Sequence, residues 1–152
     1  WPRLEEIVIG AVIGVVSAWL VYPVKSTAVL RRRIADALAA LSDALDPATA
    51  KRTPDAFITA LDQVEQVAPA FKASRLVTPW LKTVHPADWI DVLNACRNPA
   101  MVLISQGAAP GDVRKAVGSA RRAMREPEAL LPALQALRNA MAGVSIDRLE
   151  PA

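Results

Sequence analysis

Residues 7–22 read IVIGAVIGVVSAWLVY and carry no charged side chain. Wound into a helix, these 16 residues rise roughly 24 Å, against a bilayer hydrocarbon core of about 30 Å. Leu4 and Val24 lengthen the stretch at its two ends, and local thinning of a bilayer takes up the remainder. Val and Ile also suit a buried strand, but the run is too long for one. A cleaved signal peptide would put basic residues ahead of the run and a small-residue cleavage site behind it. Here Glu5 and Glu6 precede it, while Trp19, Tyr22, Pro23 and Lys25 close and follow it. Aromatic residues passing into positive charge are the pattern of a membrane interface. The expectation is one N-terminal transmembrane helix within residues 1–24, with a buried helix of a water-soluble domain as the alternative.

The flanks orient the helix. Lys25, Arg31, Arg32 and Arg33 follow it before the first acid at Asp36, whereas Arg3 precedes it together with Glu5 and Glu6. By the positive-inside tendency everything after Tyr22 is expected in the cytoplasm. Arg3, Glu6, Trp19, Tyr22, Lys25, Arg31, Arg32 and Arg33 are thus the expected membrane-interface residues. Arg3 and Glu6, three apart, share a helix face and could pair. Gly10, Gly14 and Ala18 recur every four residues and form one groove, where small side chains let another helix approach in lipid. A lone anchor needs no such groove.

The rest of the chain expects an all-α fold, a bundle of four to five amphipathic helices over residues 25–152. Leu30, Ile34, Leu38, Leu41 and Leu45 form a first stripe, continuous with the membrane helix but for a kink at Pro23, and stopped at Asp46-Pro47. Thr53-Pro54-Asp55 caps and starts a second helix lined by Phe57, Leu61, Val64, Ala68 and Phe71. Pro69 should bend or end it, leaving residues 74–86 irregular. Pro86-Ala87-Asp88 starts a third, with Trp89, Leu93 and Cys96 continued in phase by Ala100 and Leu103 across an expected kink at Pro99. After the loop QGAAPG, a fourth carries Val113, Val117, Ala120 and Met124. A fifth, from Glu126-Pro127-Glu128, carries Leu130, Leu134, Leu137 and Met141 and ends at Gly143.

Residues 3–45, RLEEIVIGAVIGVVSAWLVYPVKSTAVLRRRIADALAALSDAL, resemble the fusaric acid resistance protein-like family of aromatic acid exporters. The likeness lies in an arrangement: an Arg and acids before a Gly-bearing terminal membrane helix, an aromatic-Pro exit, basic residues, then a long Leu/Ala-rich helix. The later helices are similar to that family's cytoplasmic region in texture. The resemblance implies an inner-membrane protein that exports aromatic or other organic acids as a homo-oligomer. It would contact lipid and the other transmembrane helices of the same protein, and the substrate would be handled mainly by upstream residues. The opening at Trp1 rather than Met agrees with a piece of a longer chain. A singly anchored helical scaffold recruiting a protein partner is the alternative.

No enzyme chemistry is legible. A formal charge of +3 without a basic, aromatic-interleaved stripe argues against nucleic acid. Cys96 is alone, which excludes an intrachain disulfide. His85 is also alone and sits just before Pro86, so neither a metal set nor a Cys/His pair is spaced for function, and His85 is expected to cap a helix or lie on the surface. Cys96, Trp80 and Trp89 are expected in the core. The loop QGAAPG lacks the strand and Lys-Ser/Thr ending of a phosphate loop. No catalytic, cofactor or metal residue is therefore assigned. Arg114, Lys115, Arg121, Arg122 and Arg125 make the fourth helix basic on its polar side, where a solvated face is the default reading.

Overall fold

The computed structural model describes residues 2–48, 53–77, 84–108 and 110–149, and their side chains except those of 19–26, 77 and 145–149. All regular structure among them is helical: α1 (Pro2–Ala44), α2 (Asp55–Val77), α3 (Pro86–Ala95), α4 (Arg97–Ser105), α5 (Gly111–Ala123) and α6 (Pro127–Leu149). The apolar stripes dictate the assembly, because each buries one face. α1 packs against α2 and α5, α2 against α3, α3 against α6, and α6 closes the ring on α5. α4 lies along α3 and α6.

The core holds the residues that periodicity singles out. Leu30, Ile34, Leu38, Leu41 and Leu45 of the first stripe are buried, as are Phe57, Leu61, Val64, Ala68 and Phe71 of the second. Leu130, Leu134, Leu137 and Met141 of α6 are fully buried. Trp89 is buried too, and its indole N–H finds no acceptor. Trp80 lies outside the described residues.

Several boundaries depart from expectation. α1 is one helix across Pro23, where the side chains lie outside the described ones. α2 starts at Asp55 rather than Pro54; the Pro54 carbonyl accepts from the Ile58 N–H at 2.9 Å, which places Pro54 at the cap. Pro69 neither ends α2 nor leaves 74–77 irregular. It is exposed, as is Glu65, whose carbonyl it leaves without an intrahelical donor, so water can reach that group. Pro132 is accommodated in α6 likewise. Gly143 does not end α6, which continues to Leu149; a terminating glycine needs the left-handed conformation, and among the described residues only Gly107, in the QGAAPG loop, has a positive φ.

Pro99 does interrupt its helix, but the break falls at Cys96. A proline lacks the N–H that would bond the residue four back and its ring clashes with that carbonyl; for Pro99 that residue is Ala95, where α3 stops. Cys96 keeps right-handed helical torsions, so Leu93 and Cys96 on one side and Ala100 and Leu103 on the other enter one core.

Among the described residues no helix is long and apolar enough to cross a membrane. The described side chains at the start of α1 end at Ala18, short of the charge-free run, which the sequence continues to Tyr22.

Candidate functional site

The upper part of α1 stands clear of the bundle. Every described side chain from residue 2 to residue 18 is exposed. Leu4, Ile7, Val8, Ile9, Val12, Ile13, Val15 and Val16 range from 50% (Val16) to 67% (Ile7) exposure. The first part of α1 is thus not covered by the described elements of this chain. At about 100° per residue, Gly10, Ala11, Gly14, Ser17 and Ala18 fall within roughly a third of the circumference, and the large side chains from Val8 to Val16 occupy the rest, with Ile7 capping the small arc at its upper end. A Cβ placed on Gly10 or Gly14 would meet nothing within 4 Å, so among the described residues no other element lies against the small face. Arg3 and Glu6 are both exposed, and the described ion pairs do not join them. The expected pairing is absent because neither side chain is held by a neighbour, and an exposed pair gains little. Trp19, Tyr22 and Lys25 have side chains outside the described residues.

Arg31, Arg32 and Arg33 do not share one role. Arg32 is exposed, Arg33 half-buried, and Arg31 half-buried with its Nη2 donating to the carbonyl of Met124, 93 residues along the chain. The Arg31 Nε is buried without a partner. Arg31 clamps the C-terminal end of α5, where helix carbonyls lack intrahelical donors and a cation is favoured. The other end of α5 is fixed by a cleft of about 180 Å³ lined by Ser42, Asp43, Leu45 and Asp46 of α1 and its exit, and by Arg114, Val117 and Gly118. α5 therefore runs antiparallel to α1. Arg121, Arg122 and Arg125 thus lie toward the end of α5 that Arg31 clamps, while Arg114 and Lys115 lie at the far end. The cleft is smaller than the roughly 300–1,000 Å³ of ordinary ligand pockets.

His85 caps α3, as expected. Its Nδ1 accepts from the Ala87 N–H at 3.1 Å, and Asp88 returns a carboxylate oxygen to the His85 N–H at 3.3 Å. With Nδ1 accepting, the ring proton sits on Nε2, which donates to Ser74 Oγ at 3.1 Å, while the Ser74 hydroxyl donates to the Phe71 carbonyl at 2.9 Å. The contact looks like a hydrolytic pair by distance, but the proton points the wrong way for His85 to act as a base toward Ser74. Arg75 fastens the same corner through Asp88 (3.1 Å) and Asp91 (3.3 Å), with Arg97–Asp62 (3.3 Å) and Asn94–Glu65 (2.6 Å) further along the α2 seam. Burial lowers the His85 pKa from its ordinary value; Asp88 opposes this and Arg75 adds to it.

No family model, curated protein or solved structure matches this chain.

Cys96 is buried, as expected, and burial pushes its thiol up to about 11, against a smaller opposing pull from Arg138. At neutral pH it is a protonated core side chain rather than a nucleophile. Among the described residues, no three His, Cys, Asp or Glu side chains are grouped to hold a metal ion.

Proposed function

We propose that this chain is the membrane-crossing end and cytoplasmic helical domain of an exporter of aromatic or other organic acids. The supporting observation is the exposed, apolar, unpartnered upper part of α1. A large aliphatic side chain gains about 1.5–3 kcal/mol on full burial, and here such side chains surround most of the helix. Acyl chains cover the large face, and the small face of Gly10, Gly14 and Ala18 admits another transmembrane helix of the same protein. The charge-free run through Tyr22 completes the span, with Trp19, Tyr22 and Lys25 at the inner interface.

The exporter assignment is supported by the arrangement of residues 3–45. On this reading the bundle aids assembly of a homo-oligomer or gates its inner mouth, and substrate is handled by other membrane helices. Two measurements test it in the organism that makes the full-length protein. Carbonate washing of membranes should leave the protein in the pellet; release into the wash removes the membrane reading. Deletion should raise sensitivity to, and intracellular accumulation of, aromatic acids. Unchanged values across a broad panel would remove the exporter and leave the membrane reading standing.

A further inference from the structure

We infer that the arginines at the C-terminal end of α5 join those of α1 in a collar that binds anionic phospholipid headgroups. The inference rests on the membrane reading of α1 and adds to it a second, sequence-distant surface. Arg121, Arg122 and Arg125 lie far along the chain from the apolar run, and the sequence by itself gives them a solvated face by default, with a partner, an organic anion or the membrane surface as the other readings. The Arg31–Met124 bond draws them to the end of the bundle from which the apolar part of α1 projects. Arg32, Arg121, Arg122 and Arg125 are exposed there and Arg33 half-exposed, and the described ion pairs engage none of them. Arg122 bends back to donate to Ser119 Oγ at 3.2 Å. Glu126 and Glu128 at the start of α6 and Asp36 on α1 are the nearby acids by chain position; they reduce the positive field without pairing these arginines.

Exposed arginines at the end of the bundle from which an apolar helix projects suit a boundary where phosphate oxygens overlie acyl chains. Each near-surface arginine strengthens contact with an anionic leaflet roughly five-fold.

The full chain is reconstituted into vesicles of phosphatidylcholine alone, and into mixed vesicles containing phosphatidylglycerol. Carbonate-resistant flotation with the neutral vesicles reads α1 by itself. Its failure overturns the membrane reading independently of the arginines, whose effect is still read by salt-sensitive flotation with the mixed vesicles. From the mixed vesicles, the lipids retained on extraction in dilute detergent are counted by mass spectrometry. Wild type should retain phosphatidylglycerol over phosphatidylcholine, and the R121Q/R122Q/R125Q variant should lose at least five-fold of that preference. R114Q/K115Q, altered on the same helix at its far end, should keep it. Circular dichroism confirms that both variants fold. An unchanged preference in the triple variant, or an equal loss in the far-end variant, overturns the collar.

Discussion

Single side chains in this protein take roles that their neighbours in sequence do not announce. His85 closes the first turn of α3 through Nδ1 and anchors α2 through Nε2, so it is a hinge pin between two helices. Its pKa is lowered in the fold, so between that lowered value and the ordinary 6.5 the unfolded chain binds more protons than the native one. Stability from this residue is therefore complete above about pH 6.5 and lost as pH falls through the folded value. Urea unfolding between pH 8 and pH 5 should show the midpoint falling with acid. The fall should be smaller in His85→Asn, which keeps a cap acceptor but does not titrate; an equal fall would assign the effect to other groups. His85→Ala should cost about 1 kcal/mol at pH 8, the ordinary worth of an N-cap. The cap itself was legible from His-Pro-Ala-Asp. The proton's position was not, because it depends on Ser74 across a helix–helix contact.

At the scale of elements, stripes of Leu, Val and Ala three and four apart located the faces of all the helices, and the structure buries those faces. What spacing could not settle was where helices stop. Pro69, Pro132 and Gly143 carry breaker chemistry, yet α2 and α6 pass through them. The packing of a long apolar face outweighs one missing hydrogen bond, and Gly143 stays right-handed. The Arg31 clamp was equally hidden, since its acceptor is a main-chain carbonyl, a group every residue carries. Burial also predicts an asymmetry between faces. Leu134→Ala, in a fully buried position of α6, should destabilise the bundle by about 2–5 kcal/mol. Val12→Ala, on the exposed part of α1, should leave the same transition within about 0.5 kcal/mol. Chemical denaturation in a mild detergent followed by circular dichroism measures both.

For the whole molecule, stability and placement are carried by separate stretches. None of the described side chains from residue 2 to residue 18 is buried, so a chain beginning at residue 19 should keep its melting temperature within about 4 °C and need no detergent to stay in solution. A larger drop would mean that the apolar part of α1 stabilises the bundle. One helix serving both halves also fixes an azimuth. Leu30, Ile34, Leu38 and Leu41 lock the rotational phase of α1 in the core, and an unbroken helix carries that phase upward. At roughly 100° per residue, Gly10 and Gly14 then point away from the side on which the bundle hangs. A neighbouring helix seated in that groove would approach from the back of the molecule, leaving room below it for its own continuation.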